Sequence, residues 1–144
     1  MMRGADHRAG RRFGHELLVA ACAISAGVHA ALVPGHLREE PLLGWAFVLA
    51  SALLAATAVA LDRRRDSRWP VRAAALLFAG LIAGYTATRA SHVPGLESTP
   101  EPLDAVGLVT DAVEAAGLAL ALRLARPPTR RLRVLLAPRQ EGRP

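Results

Sequence analysis

Four apolar runs, parted by charge and proline, organise this chain of 144 residues. They cover Phe13–Val33, Leu42–Leu61, Val71–Thr88 and Leu103–Ala125. A helix needs about 20 mostly apolar residues to cross a hydrocarbon core about 30 Å thick, and each run comes close. The second, "LLGWAFVLASALLAATAVAL", carries no charge at all. A soluble amphipathic helix would show a polar face at every turn instead. The fourth run holds two acids, Asp111 and Glu114. The pattern predicts an all-α fold, a bundle of four transmembrane helices.

Charge adds direction. All 18 basic side chains are Arg, and they cluster. Arg3, Arg8, Arg11 and Arg12 precede the first run. Arg63, Arg64, Arg65, Arg68 and Arg72 lie between or at the edge of the second and third. Arg123, Arg126, Arg130, Arg131, Arg133, Arg139 and Arg143 follow or close the fourth. Only Arg38 and Arg89 fall on the opposite side. Basic residues stay cytoplasmic, so both termini are expected in the cytoplasm of a cell expressing the protein in its plasma membrane. This divides the chain into a basic N-terminus (1–12), a transmembrane domain (13–125) and a basic, proline-interrupted, disordered tail (126–144). Arg groups at the inner surface gain about 1 kcal/mol each from anionic lipid. The net charge of +6 would suit a nucleic-acid partner. Its confinement to the ends of apolar runs, with no basic stripe interleaved with aromatics, excludes one. The basic start and "SAGVHA" end of the first run resemble a cleavable signal, but its likeness to the third run favours retention.

Two segments punctuate alternate gaps: "VPGHLREEPL" from Val33 to Leu42 and "VPGLESTPEPL" from Val93 to Leu103. Pro34 is expected to end the first helix and Gly35 to permit the turn. Pro41 suits the first turn of the returning helix. The chain then reads as two tandem helical hairpins whose tips face outward.

The polar residues inside the runs are the candidate chemistry. On the fourth run Gly107, Thr110, Asp111, Glu114, Gly117 and Leu118 share an arc of roughly 140°. On the first, Cys22, Ser25 and His29 share roughly 60°. Counted inward from the outer edge, His29 is level with Gly107, Ser25 with Asp111 and Cys22 with Glu114. A charged carboxylate facing lipid costs roughly 2.5–3.5 kcal/mol, so the acids are expected inside the bundle. Arg89 could reach Asp104 or Asp111; serving only the nearer acid, it is expected to leave Asp111 ionised and paired and Glu114 protonated. Together Ser25, His29, Arg89, Asp104, Asp111 and Glu114 form a candidate intramembrane polar pocket. Gly80-x-x-x-Gly84 offers a small-residue ridge for close helix packing.

Other chemistry is thinner. His29, His36, His92 and Glu101 are weak metal candidates, with Glu39, Glu40 and Glu97 nearby. Pro34 and Gly35 are expected to break the helical register between His29 and His36, so solvated loop polarity is the better reading. A haem held between His29 and His92 has no motif. The single cysteine, Cys22, forms no internal disulfide and reads as an inert apolar residue. No phosphate loop, nucleophile elbow or zinc-protease motif occurs, and no cofactor is expected. The leading expectation is a non-enzymatic accessory subunit that binds a membrane-protein partner or a second copy of itself. The alternative is transport or sensing of protons or cations through the polar pocket.

The stretches "HAALVPGHLREEPLLGWAF" and "ATRASHVPGLESTPEPLDAVG" resemble a group of small four-helix membrane proteins of actinobacteria. The likeness covers roughly residues 17 to 125 and implies an integral membrane location. No established activity comes with the group, so it transfers no catalytic residue.

Overall fold

A computed structural model describes residues 3–90 and 105–126. The second Val-Pro-Gly segment, His92, Glu101, Asp104 and the basic tail lie outside the described residues.

Four helices follow one another: α1 (Arg3–Glu39), α2 (Pro41–Arg63), α3 (Trp69–Ala90) and α4 (Ala105–Ala125). No strand occurs among the described residues. Each helix contains a segment long and apolar enough to cross a membrane. Large side chains such as Phe13, Leu49, Leu76 and Val109 point outward and are exposed. An apolar surface of that extent needs lipid around it. The protein is a multi-pass membrane protein built as a four-helix bundle.

The first turn departs from the expectation. Val33, Pro34 and Gly35 are helical, and α1 runs 37 residues to Glu39. At about 1.5 Å per residue that is about 55 Å, longer than the membrane core. The helix also begins at Arg3, so it takes in most of the segment expected as a separate basic N-terminus. Pro34 costs one backbone hydrogen bond, which membrane helices tolerate. The break falls at one residue, Glu40, with φ −137° and ψ 83°. Its cause is Pro41, whose ring pushes the preceding residue out of the helical region while itself fitting the start of α2. Gly44 makes the reversal compact. A Cβ there would meet the Leu37 backbone nitrogen at 2.6 Å.

The second turn is closed by Ser67 N–H to the Arg64 carbonyl at 3.0 Å. The Arg64 guanidinium stands over the Trp69 ring, 5.8 Å from its centroid. An unforeseen contact ties α1 to this end. His15 Nε2 donates to the Leu61 carbonyl at 2.9 Å. Leu61 lies in the last turn of α2, where carbonyls lack intrahelical partners.

Adjacent helices run antiparallel. α1 packs most extensively on α2 and α3 on α4; α1 also meets α4, and α2 touches α3 least. The apolar core fills one half of the bundle, the half bearing the α2–α3 turn. Leu18 and Cys22, Leu54 and Leu61, Ala74 and Phe78, and Ala121 are its fully buried members. Cys22 is a free, buried apolar residue there, as expected. Phe78 sits on Gly117, where an added Cβ would lie 2.5 Å from the ring.

Candidate functional site

The other half of the bundle is hollow. A cleft of about 730 Å³ lies between the four helices, toward the end where α1 turns into α2. Every helix contributes to its wall: His29 and His36 from α1, Phe47 from α2, Tyr85 and Arg89 from α3, Asp111 and Glu114 from α4. Most of the remaining lining is apolar, including Leu32, Leu43, Leu81 and Val106.

Helical spacing puts the acids there. Gly107, Thr110, Asp111 and Glu114 follow steps of three, one and three, so they form a stripe along α4, and all four line the cleft. Glu114 is its floor. It stands nine residues into α4, about 14 Å from the helix start, and is 2% exposed. Ser25 Oγ donates to Glu114 Oε1 at 2.6 Å. The expected level was one turn different, with Ser25 opposite Asp111. That level counts inward from Val33, which lies inside α1, and from Leu103, which lies outside the described residues.

His29 sits one turn above Ser25 on α1. Its Nδ1 lies 2.9 Å from the Ser25 carbonyl. A carbonyl only accepts, so this bond places a proton on Nδ1. The same nitrogen is 3.5 Å from Ser25 Oγ and 3.8 Å from Glu114 Oε1. His36 Nδ1 donates likewise to the Leu32 carbonyl at 3.0 Å. Both imidazoles lie against Phe47, His36 stacked at 4.4 Å and His29 tilted at 5.2 Å. The helix is therefore unbroken from His29 to His36, contrary to the expected interruption at Pro34. Even so, no group of three metal-binding side chains gathers among the described residues.

Arg89 is not paired with Asp111, and its other expected partner, Asp104, lies outside the described residues. Its guanidinium lies over the Tyr85 ring, 4.3 Å from the centroid, and donates to Thr88 Oγ1 at 3.3 Å. It makes further contacts besides, but no ion pair with Asp111. Asp111 Oδ1 is buried without a hydrogen-bond partner, and so is Tyr85 Oη. The Gly80-x-x-x-Gly84 ridge is also used differently. Neither glycine has any atom within 4 Å of an added Cβ; both line the cleft and neither seats a neighbouring helix.

Serine, histidine and glutamate in contact invite comparison with a hydrolytic triad. The connectivity argues against it. A triad needs the serine proton aimed at imidazole and the acid on the other ring nitrogen. Here serine donates to the acid, and Nδ1 is held by a backbone carbonyl. What the arrangement can do is hold charge. Asp111 has no cationic partner among the described residues, and Glu114 has only His29 nearby. In a low-dielectric bundle each acid must carry a proton or meet a cation.

Phe47 and Tyr85 were missed from the sequence. Their signal was present, as isolated aromatics within runs of small and aliphatic residues. Comparison with family models, with curated proteins and with solved structures finds no match.

Proposed function

We propose that this protein is a non-enzymatic sensor or carrier of protons or monovalent cations in the plasma membrane, working through the four-helix cleft. The observation that carries the reading is the pair Asp111 and Glu114, lining one cleft with no arginine among the described residues paired to either. Intramembrane ionisable residues that face a cavity mark ion or proton pathways.

Orientation follows from the arginines. The closed end of the bundle bears Arg11, Arg12, Arg63, Arg64, Arg65, Arg68, Arg72, Arg123 and Arg126, and the cleft end only Arg38 and Arg89. By the positive-inside tendency the closed end is cytoplasmic and the cleft faces out. The accessory-subunit reading draws less support, because the glycine ridge that suggested a docking face turns into the cleft.

Two measurements test the proposal. Reporter fusions at Asp66 and after Pro144 should both read cytoplasmic; an external signal at either would reverse the cleft. An infrared pH titration in lipid should show a protonated-carboxyl band that is diminished in Glu114→Gln or Asp111→Asn. A spectrum identical in the wild type and both variants would end the proton-and-cation reading.

A further inference from the structure

The walls and floor of the cleft differ in kind, and the difference specifies what fits. The floor and one side carry Asp111 and Glu114. The walls are aliphatic and aromatic, with Phe47 prominent among them. A volume of about 730 Å³ falls in the range of sites for small organic ligands, about 300–1,000 Å³. It is far too large to clothe a bare inorganic ion in oxygens.

The hydroxyl protons are committed: Ser25 Oγ donates to Glu114, Thr110 Oγ1 to the Val106 carbonyl at 2.7 Å and Thr88 Oγ1 to the Tyr85 carbonyl at 3.0 Å. Asp111 Oδ1 and Tyr85 Oη remain without partners. No group of three metal-binding side chains gathers among the described residues, whereas a carboxylate in a cleft with aliphatic and aromatic lining suits an organic cation.

We propose, building on the cation reading above, that the cleft binds a monovalent organic cation with an apolar body. Its charged nitrogen sits at Asp111, above Glu114, where the carboxylate supplies the counter-charge. The titratable groups that line the cleft are His29, His36 and Glu39 from α1, Tyr85 and Arg89 from α3, and Asp111 and Glu114 from α4; α2 adds Phe47 but no titratable group. The His29 proton is directed to the Ser25 carbonyl, and Arg89 is engaged with Tyr85 and Thr88. Neither fills the place at Asp111.

The test uses benzyltrimethylammonium, whose charge does not change with pH, and the full chain in detergent. Equilibrium dialysis should show one saturable site. Asp111→Asn should weaken binding about tenfold or more. Gly84→Leu tests the same site without altering an acid. Its new Cβ meets no atom within 4 Å, so the variant should fold, fill the cleft and weaken binding equally. Failure of the probe to bind, or binding indifferent to both variants, overturns the proposal. So does sodium or potassium binding in its place, although that result would leave the wider cation reading standing. If no cation binds while the infrared band persists, the proton reading survives alone.

Discussion

Ser25 Oγ and Glu114 Oε1 lie 2.6 Å apart, and among the described residues theirs is the one side-chain hydrogen bond that joins α1 to α4. It lies at the boundary between the filled and the hollow halves of the bundle. Ser25→Ala should therefore cost more than a surface change, about 1–3 kcal/mol for a buried acid that loses its donor. Thermal unfolding in detergent of Ser25→Ala, Glu114→Leu and the double variant would measure it. The double variant should be closer to Glu114→Leu than the sum of the single losses. Simple additivity would show that the bond does no coupling.

Gly117 faces Phe78 so closely that a methyl group has no place. Gly117→Ala should destabilise the bundle by about 1–3 kcal/mol through overpacking. Combining it with Phe78→Leu, which withdraws the ring, should recover part of the loss in the same melting experiment. A Gly117→Ala variant as stable as the wild type would show that this contact is not formed in lipid.

The two prolines of the first hairpin should answer oppositely. Pro34→Ala restores a donor inside α1 and should leave stability unchanged or raise it, by at most about 3 kcal/mol. Pro41→Ala removes the restraint on Glu40 and should loosen the turn. Gly44→Ala should be the most damaging of the three, since its methyl group would strike the Leu37 backbone. Melting temperatures of the three variants, ranked against the wild type, check this. A reversed order for the prolines would restore the loop at Val33–Gly35.

His15→Ala should strip the Leu61 carbonyl of its cross-helix donor. The expected loss is about 1–3 kcal/mol, with partial recovery in His15→Gln, which keeps a donor. Hydrogen exchange should then quicken in the last turn of α2, at the closed end, and remain unchanged around the cleft. Faster exchange spread evenly along α2 would contradict a local cap.

The spans were legible because uninterrupted apolarity over some 20 residues has few other physical meanings. The stripe of Asp111 and Glu114 was legible because helical periodicity alone fixes which side chains share a face. The face joining Cys22, Ser25 and His29 was readable for the same reason, and all three are buried. What the residues could not show was relative height. Pro34 and Pro41 look equally able to stop a helix, and only packing of Gly44 on Leu37 decides between them. Counting from Val33, which lies inside α1, sets Ser25 opposite Asp111, one turn from the Glu114 it meets. The partner of Arg89 was unreadable for a related reason, since a long side chain has several polar neighbours within reach. Here the ring of Tyr85, one turn back on the same helix, holds it.

Phe78 on Gly117 lies one turn beneath Glu114 and acts as a cork. The cleft ends above it, so in this conformation the cavity is closed toward the α2–α3 turn. A carrier would have to draw that ring off its glycine seat in every cycle, whereas a receptor never would. The mobility of the Phe78 ring, followed by fluorine resonance on a labelled phenylalanine as the cleft is loaded, thus separates a ferry from a doorbell.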